Sequence, residues 1–273
     1  MPEHFGDPLV RHRGKAEFQP FPNSFEAIRK EYGVAIEADI FLLRDGTIAV
    51  VHNKDVGMSD TEVEELTTDE ISELKAGGRE EAGAVPLFRE YVFNSFDRGI
   101  GINVEIKAST PEKAQAAVRA VVDEIEKMKT EGLFAAKQDY PELSLSLHSF
   151  SVEALQAARN EMNLKQLSLK LGLLWPSSPE RAQDMAISAT SFQQSRGRGL
   201  DSMPWPDQAI EIAAQVGIDF VDIHASNINA EVIEKAHSRH LKVYAWVVTD
   251  EEQARRLLKM GVDKIIYEPR TLL

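Results

Sequence analysis

The chain has 273 residues, no cysteine, and a formal net charge of −13 from 44 acidic and 31 basic side chains. Its length suits one large domain or two ordinary ones and is enough to bury a sizeable core. The acidic balance argues against nucleic acid or an anionic membrane as partner, and the missing cysteines exclude disulfides, thiolate metal sites and a cysteine nucleophile. The opening MPEHFGDPLV has no basic segment followed by an apolar run, and no apolar run approaches the ~20 residues that span a bilayer. A cytoplasmic enzyme is therefore expected, with a processed exported form left open.

Short apolar runs alternate with helical patterns along the chain. Pro8–His12 (PLVRH) is a candidate first strand, leading into Arg13-Gly14. Asn23 or Ser24 is placed to cap a helix running to about Tyr32, with Gly33 as its stop. Ala35–Ile40 (AIEADI) is the second strand. It continues into a hairpin with an Asp45-Gly46 turn that delivers His52. Residues 53–86 break the alternation, hold one helical segment from about Thr68 to Ala76, and read as an insertion between barrel units. A helix over Pro86–Phe96 follows, with proline at an early position.

INVEIK at Ile102–Lys107 is the third strand, and Pro111 to about Lys129 a long amphipathic helix. LSLSLH at Leu143–His148 and LKLGLLW at Leu169–Trp175 are the fourth and fifth strands, with a helix from Val152 to about Met162 between them. Residues 176–206 are irregular and contain Arg196 and Arg198 among glycines, as a lid or a surface excursion. Helices over Asp207–Val216, Ala230–His240 and Glu251–Met260 then alternate with strands over Ile218–His224, Lys242–Val248 and Val262–Tyr267. Eight strand–helix units in one chain of this length predict a single (β/α)8 TIM barrel. An open doubly wound sheet would want a glycine-rich phosphate turn after the first strand, and Arg13-Gly14-Lys15-Ala16 is not one.

In such a barrel the chemistry sits at the C-terminal strand ends. These carry His12 and Arg13, Glu37 and Asp39, Glu105 and Lys107, His148, Trp175, His224 and Trp246, with His52 arriving from the hairpin. Glu37 and Asp39 lie two residues apart and so share a strand face, where two acids repel unless a cation separates them. Asn103, Glu105 and Lys107 also share a face. Alone, Glu105 and Lys107 read equally well as a buried ion pair. With Glu37 and Asp39, Glu105 becomes a third carboxylate around one hard divalent cation, Mg2+ or Ca2+, and Lys107 is free to hold an anionic oxygen. His12 and His52 are the acid/base candidates. His148 and His224 are further candidates for the substrate pocket, and Trp246 either lines that pocket or fills the barrel.

These residues resemble the glycerophosphodiester phosphodiesterases over nearly the whole chain. His12-Arg13-Gly14 is similar to the family's opening H-R-G, Asn23-Ser24 to the end of its P-E-N-T, and Glu37-Ala-Asp39 to its E-x-D. Arg44-Asp45-Gly46 matches its K-D-G turn, and His52 the histidine of its H-D. Val85-Pro86-Leu87 resembles its I-P-T-L and Asn103-Val-Glu105-Ile-Lys107 its N-I-E-I-K. Ser149-Phe150, Val243–Val248 and Gly261–Ile266 resemble its later S-F, V-x-x-W-T-V and G-V-D-G-I-I. The resemblance implies a TIM barrel that hydrolyses a small-molecule phosphodiester to glycerol 3-phosphate and an alcohol. It implies one divalent cation on Glu37, Asp39 and Glu105, and general acid and base roles for His12 and His52. Arg13 and Lys107 would bind the phosphate, and Trp246 would pack against the alcohol. Departures at Pro22, Asn53, Asp55–Thr61 and Tyr267-Glu268-Pro269 bear on substrate identity more than on reaction type. A sugar phosphodiester, a lysophospholipid, or a Mg2+-dependent lyase or aldolase reaction are the alternatives, and the oligomeric state is not legible.

Overall fold

The computed structural model describes residues 8–14, 22–30, 35–133, 145–184 and 203–268. Its strands are β1 (Leu9–Arg11), β2 (Ala35–Leu42), β3 (Ile48–Val50), β4 (Ile102–Ile106), β5 (Leu145–Ser149), β6 (Lys170–Trp175), β7 (Phe220–His224), β8 (Lys242–Val248) and β9 (Lys264–Tyr267). They are hydrogen-bonded in the order β1-β9-β8-β7-β6-β5-β4-β2, and β1 also pairs with β2. All of these pairings are parallel, so the eight strands close into a TIM barrel. β3 folds back antiparallel on β2 as the expected hairpin, with Gly46 at φ 86° in its turn.

The described helices are α1 (Phe25–Lys30), α2 (Asp60–Glu64), α3 (Thr68–Ser72), α4 (Phe88–Asp97), α5 (Pro111–Thr130), α6 (Val152–Lys165), α7 (Pro179–Asp184), α8 (Trp205–Val216), α9 (Ala230–Ser238) and α10 (Glu251–Met260). Two faces of each strand separate cleanly. Ile36, Ala38 and Ile40 of β2, Ile102, Val104 and Ile106 of β4, Leu145 and Leu147 of β5, and Leu171 and Leu173 of β6 belong to one buried apolar cluster. That cluster takes in Val118, Val121 and Val122 of α5 and Leu155 and Ala158 of α6, so this face meets the helices. The alternate residues are Glu37, Asp39, Asn103, Glu105, Ser146, His148 and Gly172, which therefore line the barrel interior. A period of two thus puts aliphatic residues under the helices and polar ones on the axis.

Residues 53–86 fold as short capped segments. Ser59 and Glu62 form a capping box at α2, and Thr67 and Glu70 another at α3. Phe41, Leu43, Ala49, Val51, Val63, Ile71 and Val85 give this stretch a small core of its own against the hairpin. The helix expected from Thr68 to Ala76 stops at Ser72, because Lys75 bridges to Ala84 and Ala76–Gly78 turns with Gly77 at φ 60°. The helix expected from Pro86 begins at Phe88, since the Pro86 carbonyl accepts from Val50 N and ties that residue to the hairpin. Of the irregular 176–206 stretch, α7 is described, while Arg196 and Arg198 lie outside the described residues. The expected end of the first helix, at Tyr32 and Gly33, lies outside them as well. No helix among the described residues is long and apolar enough to cross a membrane.

Candidate active site

His12 does not end a strand. It opens a one-turn 3-10 segment, His12–Gly14, with Arg13 at φ 53° and Gly14 at φ 69°. A left-handed arginine is uncommon, and the neighbouring glycine is required for space as well, because a Cβ there would lie 2.6 Å from Ala27 Cβ. The turn lifts the chain over the mouth of the barrel. It aims Arg13 N at Glu37, whose Oε2 accepts at 2.9 Å, and leaves the Arg13 carbonyl to accept from Asn23 N at 2.9 Å.

Three carboxylates and two cations crowd this mouth. Asp39 is fully buried. Its Oδ2 lies 3.1 Å from Arg13 Nε and accepts from Asn23 Nδ2 at 3.0 Å, and its Oδ1 is 3.4 Å from Lys107 Nζ. Lys107 Nζ also pairs with Glu105 Oε1 at 2.5 Å, and Arg13 Nη1 with Asp55 Oδ1 at 3.2 Å. Burial alone would push Asp39 up, but Lys107 and Arg13 outweigh it and hold the carboxyl far below the usual range. Burial likewise opposes charge on Lys107 and Arg13, and the surrounding acids more than offset it, raising both. No Lys or Arg side chain among the described residues is ion-paired with Glu37, although Arg13 is near enough to favour its charge. Burial, then the charges of Asp39 and Glu105, push it well above the ordinary carboxylate value, and its Oε1 has no hydrogen-bond partner among the described residues. The site is thus short of positive charge at Glu37.

The histidines sit at the same mouth. His12 Nδ1 is 2.5 Å from Glu268 Oε2. A carboxylate only accepts, so His12 carries its proton on Nδ1 and presents the Nε2 lone pair, 3.9 Å from Glu37 Oε2. His52 follows Val51, whose N–H donates to the Asp39 carbonyl at 2.9 Å. Its Nδ1 accepts from Lys54 N at 3.2 Å, so the neutral ring carries its proton on Nε2. Burial, with Lys107 and Arg13 nearby, lowers the His52 pKa to about 3. One ring therefore presents an acceptor and the other a donor.

His148 is fully buried on β5, with Nδ1 2.6 Å from Asp222 Oδ2 of β7. One ligand atom each from Glu37, Glu105 and His148 lie within 4.8 Å of one another, a group able to hold a metal ion. Asp39, expected on sequence grounds as a ligand beside Glu37, pairs through Oδ2 with Arg13 and Asn23, and its Oδ1 lies 3.4 Å from Lys107 Nζ without a hydrogen-bond partner among the described residues. His224 and Trp246 form a separate wall. Trp246 meets His224 edge-on at 5.5 Å and Phe150 at 5.7 Å, and its Nε1 donates to the Asp222 carbonyl at 2.8 Å. Trp175 is buried, packs on Trp205 at 4.7 Å, and is core rather than wall. Glu268, Asp222 and Asp55 are the groups that sequence reasoning did not single out. Asp222 does sit two residues before His224 in FVDIH, on the same strand face.

A TIM barrel whose C-terminal mouth gathers carboxylates, cations and two oppositely poised histidines has the groups of an enzyme site suited to an anionic ester. The profile of the Glycerophosphoryl diester phosphodiesterase family matches residues 12–269, and the chain belongs to that family. It is thus a phosphoric diester hydrolase. A glycerophosphodiester phosphodiesterase from Caldanaerobacter subterraneus subsp. tengcongensis is 24% identical over 283 residues, covering 97% of this chain and 96% of that relative. Among solved structures, an Oleispira antarctica phosphodiesterase in complex with its product sn-glycerol-3-phosphate aligns with TM-score 0.68 and 18% identity, covering 96% of this chain and 93% of that one. A glycerophosphodiester phosphodiesterase from Parabacteroides distasonis aligns with TM-score 0.67 and 17% identity, covering 96% and 94%.

Proposed function

We propose that this chain hydrolyses glycerophosphodiesters to glycerol 3-phosphate and an alcohol, with His12 as base, His52 as proton donor, and a divalent cation among the carboxylates. The observation that carries the reading is the charge arrangement at the barrel mouth, where Arg13 and Lys107 pair with Asp39 and Glu105 while Glu37 Oε1 is buried without a hydrogen-bond partner among the described residues. Glu37 and Glu105 would hold the cation with Asp39 beside them, and oxygen donors suit Mg2+ or Ca2+. Bound there, the cation would offset charge developing on the phosphoryl oxygens.

Arg13 and Lys107 then have an anion to turn to when the phosphodiester enters. Both are already charged and already held, so little reorganisation is needed to bind it. His12 takes the proton of the nucleophile at Nε2, and Glu268 stabilises the imidazolium that results. The nucleophile is water or a neighbouring substrate hydroxyl. Beside the anionic ester His52 takes up a second proton from solvent, gives its Nε2 proton to the leaving oxygen and returns to the neutral ring. Phe150, His224 and Trp246 supply an aromatic wall of edge-on rings for the alcohol half of the ester. The product bound by the Oleispira antarctica neighbour, sn-glycerol-3-phosphate, is the product expected here.

The test is product analysis with glycerophosphocholine as substrate. Wild-type protein should release glycerol 3-phosphate and choline. His12→Ala and His52→Ala should each lower kcat by roughly 10²–10⁴-fold, the range for a positioned acid or base. Release of glycerol and phosphocholine, or near wild-type turnover in both variants, contradicts the assignment.

A further inference from the structure

We propose that His148 Nε2 is a ligand of the divalent cation bound by Glu37 and Glu105, with Asp222 fixing the ring, so that the centre has mixed oxygen and nitrogen donors. The inference rests on the reading above and specifies the chemistry of its metal site.

Four observations carry it. His148 and Asp222 are 1% and 0% exposed, so neither ring nor carboxylate has access to bulk water. The 2.6 Å contact from Nδ1 to Asp222 Oδ2 commits the Nδ1 proton to that carboxylate and leaves Nε2 as a lone pair. That Nε2 has no hydrogen-bond partner among the described residues, which is costly for a buried acceptor. Ligand atoms of Glu37, Glu105 and His148 converge within 4.8 Å, and Glu37 Oε1 is likewise unpartnered. A single cation held by this group would satisfy both unpartnered atoms. An imidazole backed by a carboxylate is the usual arrangement of a metal-bound histidine, because the partner fixes the tautomer and raises the basicity of the ligating nitrogen.

The ring's direction is fixed from behind. Gly172, opposite His148 on β6, leaves the space that the Phe220 ring occupies; a Cβ there would lie 2.0 Å from Phe220 Cε2. Phe220 in turn lies 6.5 Å from the His148 ring and stacks on Tyr244 at 4.1 Å. Asp39 Oδ2 is engaged by Asn23 and Arg13, while its Oδ1, 3.4 Å from Lys107 Nζ and without a hydrogen-bond partner among the described residues, remains able to join the same centre. Asp39 also anchors Arg13 and Lys107, and His148 adds a nitrogen donor from β5, where it is paired with Glu105 of β4. A nitrogen donor shifts preference away from Ca2+ toward borderline ions such as Mn2+, Co2+ and Zn2+.

The experiment uses the full chain stripped with chelator and reloaded with Mn2+. Electron spin-echo modulation should show a directly bound imidazole nitrogen in the wild type and in His52→Ala. The signal should vanish in His148→Gln, whose Mn2+ affinity should fall tenfold or more. Asp222→Asn should keep the nitrogen signal and bind roughly 10–100-fold more weakly. It serves as the second variant if His148→Gln does not fold. Absence of the nitrogen signal in wild-type protein, or unchanged Mn2+ affinity in both variants, overturns the role of His148 and leaves a carboxylate site standing. Failure of the wild type to bind any of Mg2+, Ca2+ or Mn2+ overturns the metal-dependent reading as well.

Discussion

Glu268 reaches His12 from just beyond the last strand of the barrel, and the 2.5 Å contact decides which nitrogen of His12 carries the proton and which is turned toward Glu37. Replacing it with glutamine keeps an acceptor but removes the charge that stabilises the imidazolium. Glu268→Gln should therefore lower kcat by roughly 10²-fold while KM changes little, following the logic of a carboxylate behind a catalytic histidine. Steady-state kinetics on glycerophosphocholine would read this out, and a rise in KM at constant kcat would make Glu268 a pocket residue instead. At this scale the sequence was legible where spacing carries the signal. Glu37 and Asp39, or Asn103, Glu105 and Lys107, share a face by parity alone. Glu268 and Asp222 were not legible, since each acts on a partner more than 70 residues away in the chain. His148 was visible as a strand-end residue, yet nothing local in LSLSLH distinguishes a substrate contact from the Asp222-backed ring that the fold assembles.

The β6–β7 pair shows how tightly one element fixes another. Gly172 faces Phe220 across the ladder, and any side chain at 172 would overlap a ring already stacked on Tyr244. Gly172→Ala should destabilise the protein by about 1–3 kcal/mol, the usual cost of overpacking a filled interior. It should appear as a lower denaturant midpoint at unchanged slope. A midpoint equal to wild type would show that the Phe220 ring can move aside freely. β2, β4 and β5 were readable because aliphatic and polar residues alternate in them, and the other barrel strands as short apolar runs between helical patterns. The 53–86 stretch was less so, since its segments are five residues or fewer and are set by capping boxes and by contacts to the hairpin. Pro86 misled the helix start for a related reason, its carbonyl being taken by Val50 of β3.

At the scale of the whole molecule, closure of the barrel brings together groups from both ends of the chain. β1 pairs with β9 and with β2, so His12, Glu37 and Glu268 meet although Glu268 lies 256 residues from His12. The repeating strand–helix order made this closure predictable, whereas the inward orientation of each side chain at the mouth depends on strand register, which only the folded sheet fixes. Among the described residues, closure leaves Glu37 Oε1 buried without a hydrogen-bond partner, and the proposed metal site is built on that atom. The most direct test is hydrolysis of glycerophosphocholine by purified protein before EDTA treatment, after it, and on addition of divalent ions. The account predicts loss of turnover with chelator and recovery with a divalent cation; undiminished turnover in excess EDTA by metal-free protein would contradict it.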